Sequence, residues 1–379
     1  MERPSILGIV SYRVFPALMG GQKCITSFYS HLAKEVNVTL AISKDNEAVT
    51  LEGVSIERFL YNHWLGFLNI RYVYRLAKLV KAKKINTIII EHSYFGWLGY
   101  MLQVFTKANF IIRLHNIEAH RFRDMQRSWW RIYWHYERWV CNKANQLWFT
   151  SPADQEWMIK NWAISTEKCT SILYGVDLTK IPTETDKKAC RTALLTQHGL
   201  LNNTKLFLFN GTLDYIPNTD AIRIIISEII PRLAKSNLNY RIIICGNRTS
   251  EKWQQVLAAH PQIIFEGFVT DIVPYFKGAD CFINPITLGS GLKTKLIESL
   301  ANNLSIISAD SGAKGINALY TGEKLTLIND YNWDAFAQAM VEFDMINESD
   351  TPSIFYKDLN WNNIIAKAVL SLQQLPILA

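Results

Sequence analysis

Residues 281–315 read CFINPITLGSGLKTKLIESLANNLSIISADSGAKG. The stretch begins with a short apolar run, Cys281 to Asn284, which has the length of a buried parallel strand. A glycine-rich turn at residues 289–291 follows, and a second apolar run, Leu304 to Ser308, ends the pattern. Between them, apolar residues recur at the spacing of a helix: Leu292, Leu296, Ile297 and Leu300. The stretch therefore predicts a strand, a glycine turn, a helix and a second strand.

The glycine turn and the helix start form a candidate phosphate site. The first N–H groups of a helix have no partner within the helix, and the helix dipole adds positive charge there. Gly289 and Gly291 let the backbone approach an anion, while Lys293 and Lys295 add ammonium groups in the first turn. Glu298 lies about two turns beyond Gly291, where its carboxylate suits the vicinal hydroxyls of a ribose. The spacing GxGxKxKxxE between two buried strands favours a nucleotide-diphosphate site over an ordinary helix start.

The composition is that of a globular protein with two domains. The 379 residues are 49% apolar and 19% charged, which is enough for two cores and excludes a disordered chain. The six cysteines are scattered and form no CxxC pair, so neither a disulfide framework nor a zinc site is expected, and a reducing compartment fits.

The net charge of +7 is concentrated in the first half, where residues 1–180 carry 23 Lys and Arg against 14 Asp and Glu. This excess indicates an anionic partner or surface. The sequence contains no recognised nucleic-acid motif, so no nucleic-acid partner is expected.

Strands and helices alternate along both halves of the chain. The predicted strands are 5–10, 36–42, 87–91, 110–114, 147–150, 169–173, 205–210, 240–245, 263–265, 281–284 and 304–308. This pattern predicts an α/β protein with two Rossmann-like, doubly wound parallel sheets. A polar stretch at 183–188 predicts the linker. We expect an N-terminal domain over 1–178, completed by a C-terminal helix at 360–379, and a C-terminal domain over 179–359.

The first half contains two further candidate sites. Gly20 and Gly21 precede a helix predicted over 22–34, which is compatible with an anion contact and equally with a plain turn. His115 and Glu118 follow the strand at 110–114, on the edge where open α/β sheets bind ligands.

Residues 126–143 interleave Trp and Tyr with Arg, a combination that suits a lipid headgroup region. The same pattern fits a helix packed on the sheet with Trp130, Tyr133 and Trp134 facing inward. No signal-peptide pattern precedes the first strand, and the longest uncharged run, 93–106, is shorter than the roughly 20 residues of a membrane-spanning helix. We therefore expect a cytoplasmic protein that contacts the inner face of the cytoplasmic membrane peripherally.

The second half resembles the family 4 glycosyltransferases of the GT-B type, in which two Rossmann-like domains face each other across a cleft. The matching pieces are NGTLDYIPN (210–218), FEGFVTDIVPYFKGAD (265–280) and INPITLGSGLKTKLIESLANNLSIIS (283–308), with weaker matches at residues 20–21, 115 and 174–177. The resemblance implies a retaining hexosyltransferase that moves a sugar from a nucleotide-diphosphate sugar to a saccharide or lipid-linked acceptor. It also implies that no metal and no other cofactor is bound, and that the pathway makes a cell-surface polysaccharide or glycolipid.

Carried over to this sequence, the family pattern implies specific roles. Glu298 would hold the ribose, and Lys293 and Lys295 would supply charge to the diphosphate. Phe268 and Val269 would lie beside the base, Gly21 would touch the donor phosphate, and His115 would contact the donor sugar. Backbone groups along the glycine turn would bind the diphosphate or the donor sugar: Gly289, Ser290, Gly291, Leu292, Lys293 and Thr294. We expect His115 and Lys293 to be the catalytic residues.

Two departures from the family pattern concern the donor. Many members have a glutamate where this chain has Ser290, and many have cations in the loop that here spans residues 211–218 without one. The diphosphate charge would then fall on Lys293, Lys295 and helix dipoles, which stabilise the leaving group in the transition state. Two alternatives are a nucleotide-sugar epimerase and a non-catalytic protein that binds nucleotide sugars or anionic surfaces. A nucleotide-dependent oxidoreductase is disfavoured because GxGxxG is missing after the first strand.

Overall fold

The chain forms two compact units, each built on its own parallel sheet. The structure, a computed structural model, describes residues 3–289, 291, 293–344 and 349–376. The N-terminal unit comprises residues 3–175, 291 and 361–376, and the C-terminal unit comprises residues 176–289, 293–344 and 349–360.

The N-terminal unit alternates strands and helices. Its strands are β1 (Ser5–Val10), β2 (Asn37–Ser43), β3 (Val54–Leu60), β4 (Thr87–Glu91), β5 (Asn109–Leu114), β6 (Gln146–Phe149) and β7 (Cys169–Ser171). Its helices are α1 (Gly20–Leu32), α2 (Trp64–Phe67), α3 (Arg71–Ala82), α4 (Gly96–Thr106), α5 (Glu118–Asp124), α6 (Trp130–Lys143) and α7 (Pro152–Trp162). The strands pair in parallel in the order β3-β2-β1-β4-β5-β6-β7, which is the order of a doubly wound sheet.

The C-terminal unit repeats the arrangement. Its strands are β8 (Lys205–Asn210), β9 (Tyr240–Cys245), β10 (Ile263–Gly267), β11 (Cys281–Asn284), β12 (Ser305–Ala309) and β13 (Leu325–Ile328). Its helices are α8 (Glu184–Gln197), α9 (Ile216–Ile224), α10 (Ile230–Leu233), α11 (Glu251–Ala258), α12 (Val273–Gly278), α13 (Thr294–Ala301), α14 (Ala318–Thr321), α15 (Trp333–Glu342) and α16 (Ser353–Leu359), with a π-helical turn, Ile225–Ile229, between α9 and α10. The order β10-β9-β8-β11-β12-β13 is again doubly wound.

Both faces of the N-terminal sheet are buried, which explains why its strands read as continuous apolar runs. Alternate residues of a strand point to opposite faces. Leu7 and Ile9 of β1 accordingly join one core cluster, and Ile6 and Val10 join the other. The fold class predicted from the sequence is confirmed by these two sheets.

The final helix, α17 (Trp361–Gln373), packs on the N-terminal unit. Ile364 and Ile365 lie in the same core cluster as Phe28 of α1 and Trp148 of β6. The indole Nε1 of Trp148 donates a hydrogen bond of 2.9 Å to the Ser371 hydroxyl. A buried apolar face and several hydrogen bonds around Ser371 therefore hold α17 on the first sheet.

The structure corrects several predicted bounds. Two strands at the sheet edges, β3 and β13, were not predicted, and the helix predicted over 22–34 begins at Gly20. Strand β11 has the predicted bounds, but the helix after the glycine turn begins at Thr294, because Gly291 has a positive φ and Lys293 is still extended.

The aromatic helix α6 faces the core on one side. Tyr133 and Trp134 pack against the apolar cluster of the N-terminal unit, whereas Ile132 and Trp139 are exposed. Within the described parts of the chain, no helix has both the length and the apolar character that a membrane span requires.

Replacing Ile364 of α17 by alanine should destabilise the N-terminal unit. Its side chain is fully buried, so Ile364→Ala leaves a cavity and should lower the free energy of unfolding by about 3 kcal/mol. Leu370, on the same helix, is 59% exposed, and Leu370→Ala should change it by less than about 0.5 kcal/mol. Urea denaturation of both variants measures the difference; equal effects would show that α17 does not depend on this buried face.

Candidate functional site

The C-terminal sheet reverses its strand order between β8 and β11, and open α/β sheets bind ligands at the carboxyl ends of the strands beside such a reversal. The backbone joins the loops at this edge. The N–H of Gly211, after β8, donates to the Cys245 carbonyl at 3.0 Å, and the N–H of Gly246, after β9, donates to the Gly267 carbonyl at 2.8 Å. The predicted donor-binding residues follow β10 and β11 at this same edge.

The glycine turn after β11 has the backbone that its glycines predict. Gly289 has a φ of +86° and Gly291 a φ of +80°, values that side-chain-bearing residues rarely adopt. Lys293 is extended at the N-cap of α13, and Thr294 is the first helical residue. Two predicted residues of this turn, Ser290 and Leu292, lie outside the described residues. The turn leads the chain into the amino end of α13, whose first N–H groups have no intrahelical acceptor.

Both predicted lysines have defined positions at the start of α13. The Lys293 ammonium donates to the Gly289 carbonyl at 2.9 Å, which closes the turn on itself. The Lys295 ammonium donates to Asn218 Oδ1 at 2.9 Å and lies 4.6 Å from the centre of the Phe209 ring. The side chains thus converge between the loop after β8 and the turn after β11.

This convergence changes the protonation of Lys295. Burial and the nearby charge of Lys293 lower its pKa to about 7, and the carboxylate of Glu298 opposes the shift. A lysine with this pKa is only partly protonated at physiological pH, and it takes up a proton when an anion binds beside it. The positive charge of the site therefore increases, through protonation of Lys295, when an anion binds.

Glu298 lies one turn beyond Lys295 on α13 and is half-buried. Its carboxylate is close enough to affect the pKa of Lys295. The carboxylate therefore belongs to the same polar group as the lysines, one helical turn away from the amino end where an anion would lie.

The residues predicted to lie beside a base follow β10. Gly267 has a φ of +66°, and the chain turns there into Phe268 and Val269. The Phe268 ring is 56% exposed, and Val269 is half-buried. An exposed ring at this edge offers a face for stacking.

Three buried amide oxygens at this edge lack a hydrogen-bond partner within the described part of the chain, one of them being Oδ1 of Asn284, the last residue of β11. Asn210 Oδ1 belongs to the last residue of β8, and Asn247 Oδ1 lies two residues beyond β9. Because buried polar atoms are nearly always paired, these atoms indicate a missing donor, such as a ligand or ordered water. None of these asparagines was predicted from the sequence, although Asn210 and Asn284 end buried apolar runs and Asn247 closely follows one.

In the N-terminal unit, Gly21 is exposed in the first turn of α1, and a side chain at this position would meet open space. The preceding loop is held by Gln22, whose Oε1 accepts the N–H groups of Leu18 and Met19 at 2.9 Å each. The first turn of α1 is therefore fixed and open to solvent at Gly21.

His115 lies just beyond β5 in a buried ionic group. Its Nε2 is 2.6 Å from Glu91 Oε2, at the end of the neighbouring strand β4, and the Arg113 guanidinium is 3.2 Å from the same oxygen. Burial alone would raise the pKa of Glu91, but Arg113 and His115 hold it at about 2. Burial and the neighbouring His92 ring lower the pKa of His115 to about 4. At neutral pH an ionised carboxylate therefore faces a neutral imidazole.

This pairing fixes the tautomer of His115. A neutral imidazole that contacts a carboxylate through Nε2 must carry its proton on that nitrogen. The other nitrogen, Nδ1, is then a hydrogen-bond acceptor. His115 is consequently prepared to accept a hydrogen bond from a hydroxyl group rather than to donate one.

A second polar chain runs beside His115. The rings of His92 and His115 stack with centroids 4.3 Å apart. Burial raises the pKa of Tyr12, so its hydroxyl keeps its proton. That hydroxyl lies 3.0 Å from His92 Nε2, and His92 Nδ1 lies 2.8 Å from Glu118 Oε1. Burial would raise the pKa of Glu118, but His92, Arg121 and Tyr94 lower it to about 2.

The sequence analysis named His115 and Glu118 but missed Glu91, His92 and Tyr12. A usable signal was present, because Glu91 and His92 follow a buried strand just as His115 does, and Tyr12 follows β1. Each unit thus gathers its own candidates at the carboxyl edge of its sheet: Gly289, Lys293, Lys295, Glu298 and Phe268 in the C-terminal unit, and Gly21 and His115 in the N-terminal unit.

Comparison with known proteins identifies the family. The model of the group 1 glycosyl transferases matches residues 204–343, and the model of glycosyltransferase family 4 matches residues 19–180, so that together they cover most of the chain. A relative from Klebsiella pneumoniae, described as an uncharacterized 44.6 kDa protein in a cps region, is 24% identical over 287 residues, which are 72% of this chain and 70% of the relative.

Solved structures agree in fold. HepE of Anabaena, crystallised with UDP and glucose, superimposes with a TM-score of 0.72 at 15% identity and covers 98% of this chain and 100% of its own. WaaG, a glycosyltransferase involved in lipopolysaccharide biosynthesis, gives a TM-score of 0.63 at 13% identity over 96% of this chain and 98% of its own. Identities this low show the fold alone. With the two sheets and both family matches, they establish that the chain belongs to the group 1, or family 4, glycosyltransferases and has the GT-B fold.

Proposed function

We propose that the protein is a retaining, metal-independent hexosyltransferase that moves a sugar from a nucleotide-diphosphate sugar to a saccharide or lipid-linked acceptor. The observation that carries the proposal is the convergence of Lys293 and Lys295 at the amino end of α13. Family membership supports sugar transfer, and the UDP and glucose bound to HepE support a donor of this class.

In this proposal the leaving diphosphate lies against the glycine turn and the first N–H groups of α13. Breaking the bond between the sugar and the diphosphate leaves negative charge on the phosphate oxygens. Lys293, Lys295 and the helix dipole stabilise that charge more strongly in the transition state than in the bound donor. Because these cations take the place that a divalent metal has in other phosphate sites, the reaction needs no bound metal or other cofactor.

The rest of the donor follows from the same edge of the sheet. The Glu298 carboxylate accepts from the two ribose hydroxyls, and the exposed Phe268 ring and Val269 lie beside the base. The unpartnered oxygens of Asn210 and Asn247 are available to N–H or O–H groups of the donor. Gly21, in the N-terminal unit, is proposed from the family resemblance alone to contact the donor phosphate through its backbone.

His115 is proposed to contact the donor sugar through Nδ1. The ionised Glu91 holds the ring in the tautomer that accepts from a sugar hydroxyl. The acceptor hydroxyl attacks the anomeric carbon from the face that the diphosphate leaves, a new C–O bond forms as the old one breaks, and a leaving phosphate oxygen takes the proton. Front-face attack retains the anomeric configuration.

The setting of the reaction is proposed from the same comparisons. The likeness to WaaG, which is involved in lipopolysaccharide biosynthesis, supports a role in making a cell-surface polysaccharide or glycolipid. The excess of Lys and Arg in residues 1–180, together with exposed Ile132 and Trp139 on α6, supports peripheral contact with the inner face of the cytoplasmic membrane.

The function is tested by a donor screen followed by a transfer assay. UDP-, GDP-, ADP- and dTDP-sugars are compared by thermal shift, with CMP-sugars as a single-phosphate control; a saturating donor at 100 times its Kd should add about 2.7 kcal/mol of stability. With an acceptor and EDTA present, the nucleotide should be released, and NMR of the first product should show the donor's anomeric configuration.

Other outcomes of this assay would contradict the proposal. Epimerised sugar nucleotide without an acceptor product identifies an epimerase, and binding without release identifies a binding protein. Loss of activity in EDTA that Mn²⁺ restores would reject metal independence, and an inverted product would reject front-face attack.

Glu298→Ala should weaken donor binding. Removing the carboxylate removes two charged hydrogen bonds to the ribose, which should cost about 1–3 kcal/mol of binding free energy. Calorimetry with the matching nucleoside diphosphate measures the change. Glu323→Ala removes an exposed carboxylate of the same unit and should bind like the wild type; equal affinities of all three proteins would reject the ribose role.

Nucleotide binding should take up a proton at Lys295. Its pKa is about 7 in the free protein, and a bound diphosphate raises it, so the affinity should fall as the pH rises above 7, by up to about ten-fold per pH unit. Calorimetry at pH 8 in two buffers of different ionisation heat measures the uptake, which should nearly vanish at pH 6. Lys295→Arg stays charged and should lose this dependence; unchanged proton uptake in that variant would exclude Lys295 as the source.

A further inference from the structure

The N-terminal unit contains a cavity of about 690 Å³ that the donor chemistry does not use. Its volume is that of a small-molecule pocket, for which roughly 300–1,000 Å³ is typical. Most of the lining residues are aromatic, among them Tyr61, Phe67, Tyr94, Phe122, Trp129 and Tyr133.

The cavity lies where this sheet is expected to bind a ligand. The strand order reverses between β1 and β4. Ser11, the first residue after β1, and Tyr94, three residues after β4, both line the cavity. It therefore opens at the carboxyl edge of the sheet, beside the reversal.

The hydroxyl groups of the three lining tyrosines all have hydrogen-bond partners within the protein. The Tyr94 hydroxyl bonds to Glu118, the Tyr133 hydroxyl bonds to the Ser93 hydroxyl at 2.8 Å, and the Tyr61 hydroxyl accepts from Lys44 at 2.9 Å. Because these polar ends already have partners within the protein, the wall consists mainly of ring carbon.

The wall is also electrically neutral. Among the lining residues that the structure describes, there is no Asp, Glu, Lys or Arg. Such a wall gains free energy by covering apolar surface and offers nothing to compensate a buried phosphate. Leu68, at the opening, is 66% exposed, so an apolar occupant would remove that surface from water as well.

A polar group adjoins the apolar wall at Tyr94. Tyr94 lines the cavity with its ring and donates its hydroxyl proton to Glu118, which also contacts His92. A ligand that fits both features is an amphiphile with a hydrocarbon part and a hydroxyl-bearing part.

We propose that this cavity binds the hydrocarbon portion of the acceptor, so that the acceptor is a sugar linked to an apolar aglycone. The inference rests on the proposed transferase function and selects the lipid-linked acceptor over the free saccharide. Aromatic rings also stack on sugars, but a buried sugar needs hydrogen-bond partners for its hydroxyls. Apart from the tyrosines and Trp129, the polar lining residues are Ser11, Asn62 and His63, and His63 Nδ1 already accepts the Leu65 N–H at 3.1 Å.

The test measures affinity against chain length at constant headgroup. Hexyl, heptyl, octyl and nonyl β-glucoside, each below its critical micelle concentration, are titrated into the full chain by calorimetry, with maltotriose as the saccharide without a tail. The affinity should rise about four-fold per added methylene, the factor that corresponds to burying one CH₂. Affinity that does not depend on chain length, or tighter binding of maltotriose, would overturn the proposal.

A matched pair of variants assigns the binding to the cavity. Leu68→Glu places a carboxylate at the opening and should weaken nonyl glucoside about ten-fold or more, because the charge must be desolvated beside the tail. Leu65 lies on the neighbouring helix α2, is 56% exposed and does not line the cavity, so Leu65→Glu should bind like the wild type. Equal loss in both variants, or loss in neither, would place the alkyl chain elsewhere.

The donor assay separates this inference from the proposed function. Both variants should keep the thermal shift with the matching sugar nucleotide, which also shows that they are folded. If no sugar nucleotide binds any of the proteins, the transferase proposal fails, while the chain-length dependence still reports on the cavity. If the donor binds and the chain-length dependence is absent, only the aglycone site is rejected.

Discussion

Each sheet reverses its strand order once, and this topological constraint decides where a ligand can bind. On either side of the reversal the connections leave toward opposite faces, so a crevice opens at the carboxyl ends of the two central strands. The pairs are β1 with β4 and β8 with β11. The strands beneath are buried and therefore mostly apolar, whereas the residues just beyond them are less constrained by core packing. Polar and aromatic side chains at these strand ends are therefore available for recognition.

Charged side chains are arranged differently at the carboxyl edges of the two sheets. In the N-terminal unit, Glu91 is buried with Arg113 and His115, and the pairing keeps the carboxylate ionised in a place that would otherwise neutralise it. In the C-terminal unit, the lysine charges lie close together and Lys295 is shifted toward its neutral form. A fully paired group is rigid and orients one ring. Two ammonium groups that repel each other are stabilised when an anion binds beside them, which is the property expected of a site for a leaving diphosphate.

Local patterns in the sequence indicated most of the fold, and long-range contacts account for what was missed. Strand β11 is a buried apolar run and was predicted to the residue. Strands β3 and β13 lie at sheet edges and are partly exposed, so their apolar pattern is weak. The GxGxKxKxxE spacing predicted the donor candidates from Gly289 to Glu298 because these lie within ten residues, whereas Gly21, Phe268 and Val269 were predicted only from the family resemblance. Glu91 was missed because its partner His115 is distant in sequence, and only the pairing of β4 with β5 brings them together. The cavity was not predicted for the same reason.

Helix α6 shows how one amphipathic pattern serves several contacts at once. Tyr133 and Trp134 face the core, as the packed interpretation of the sequence predicted, whereas Trp130, its third residue, is half-buried and is not among the residues packed on the core. Tyr133 also lines the cavity together with Trp129 at the N-cap. The Phe122 ring lies 4.4 Å from that of Trp129 and 4.9 Å from that of Tyr133. Rings in such close contact with one another lose little side-chain conformational entropy when a ligand covers them. The wall is therefore ordered before a ligand arrives, and the free energy of covering its surface is not spent on ordering the side chains.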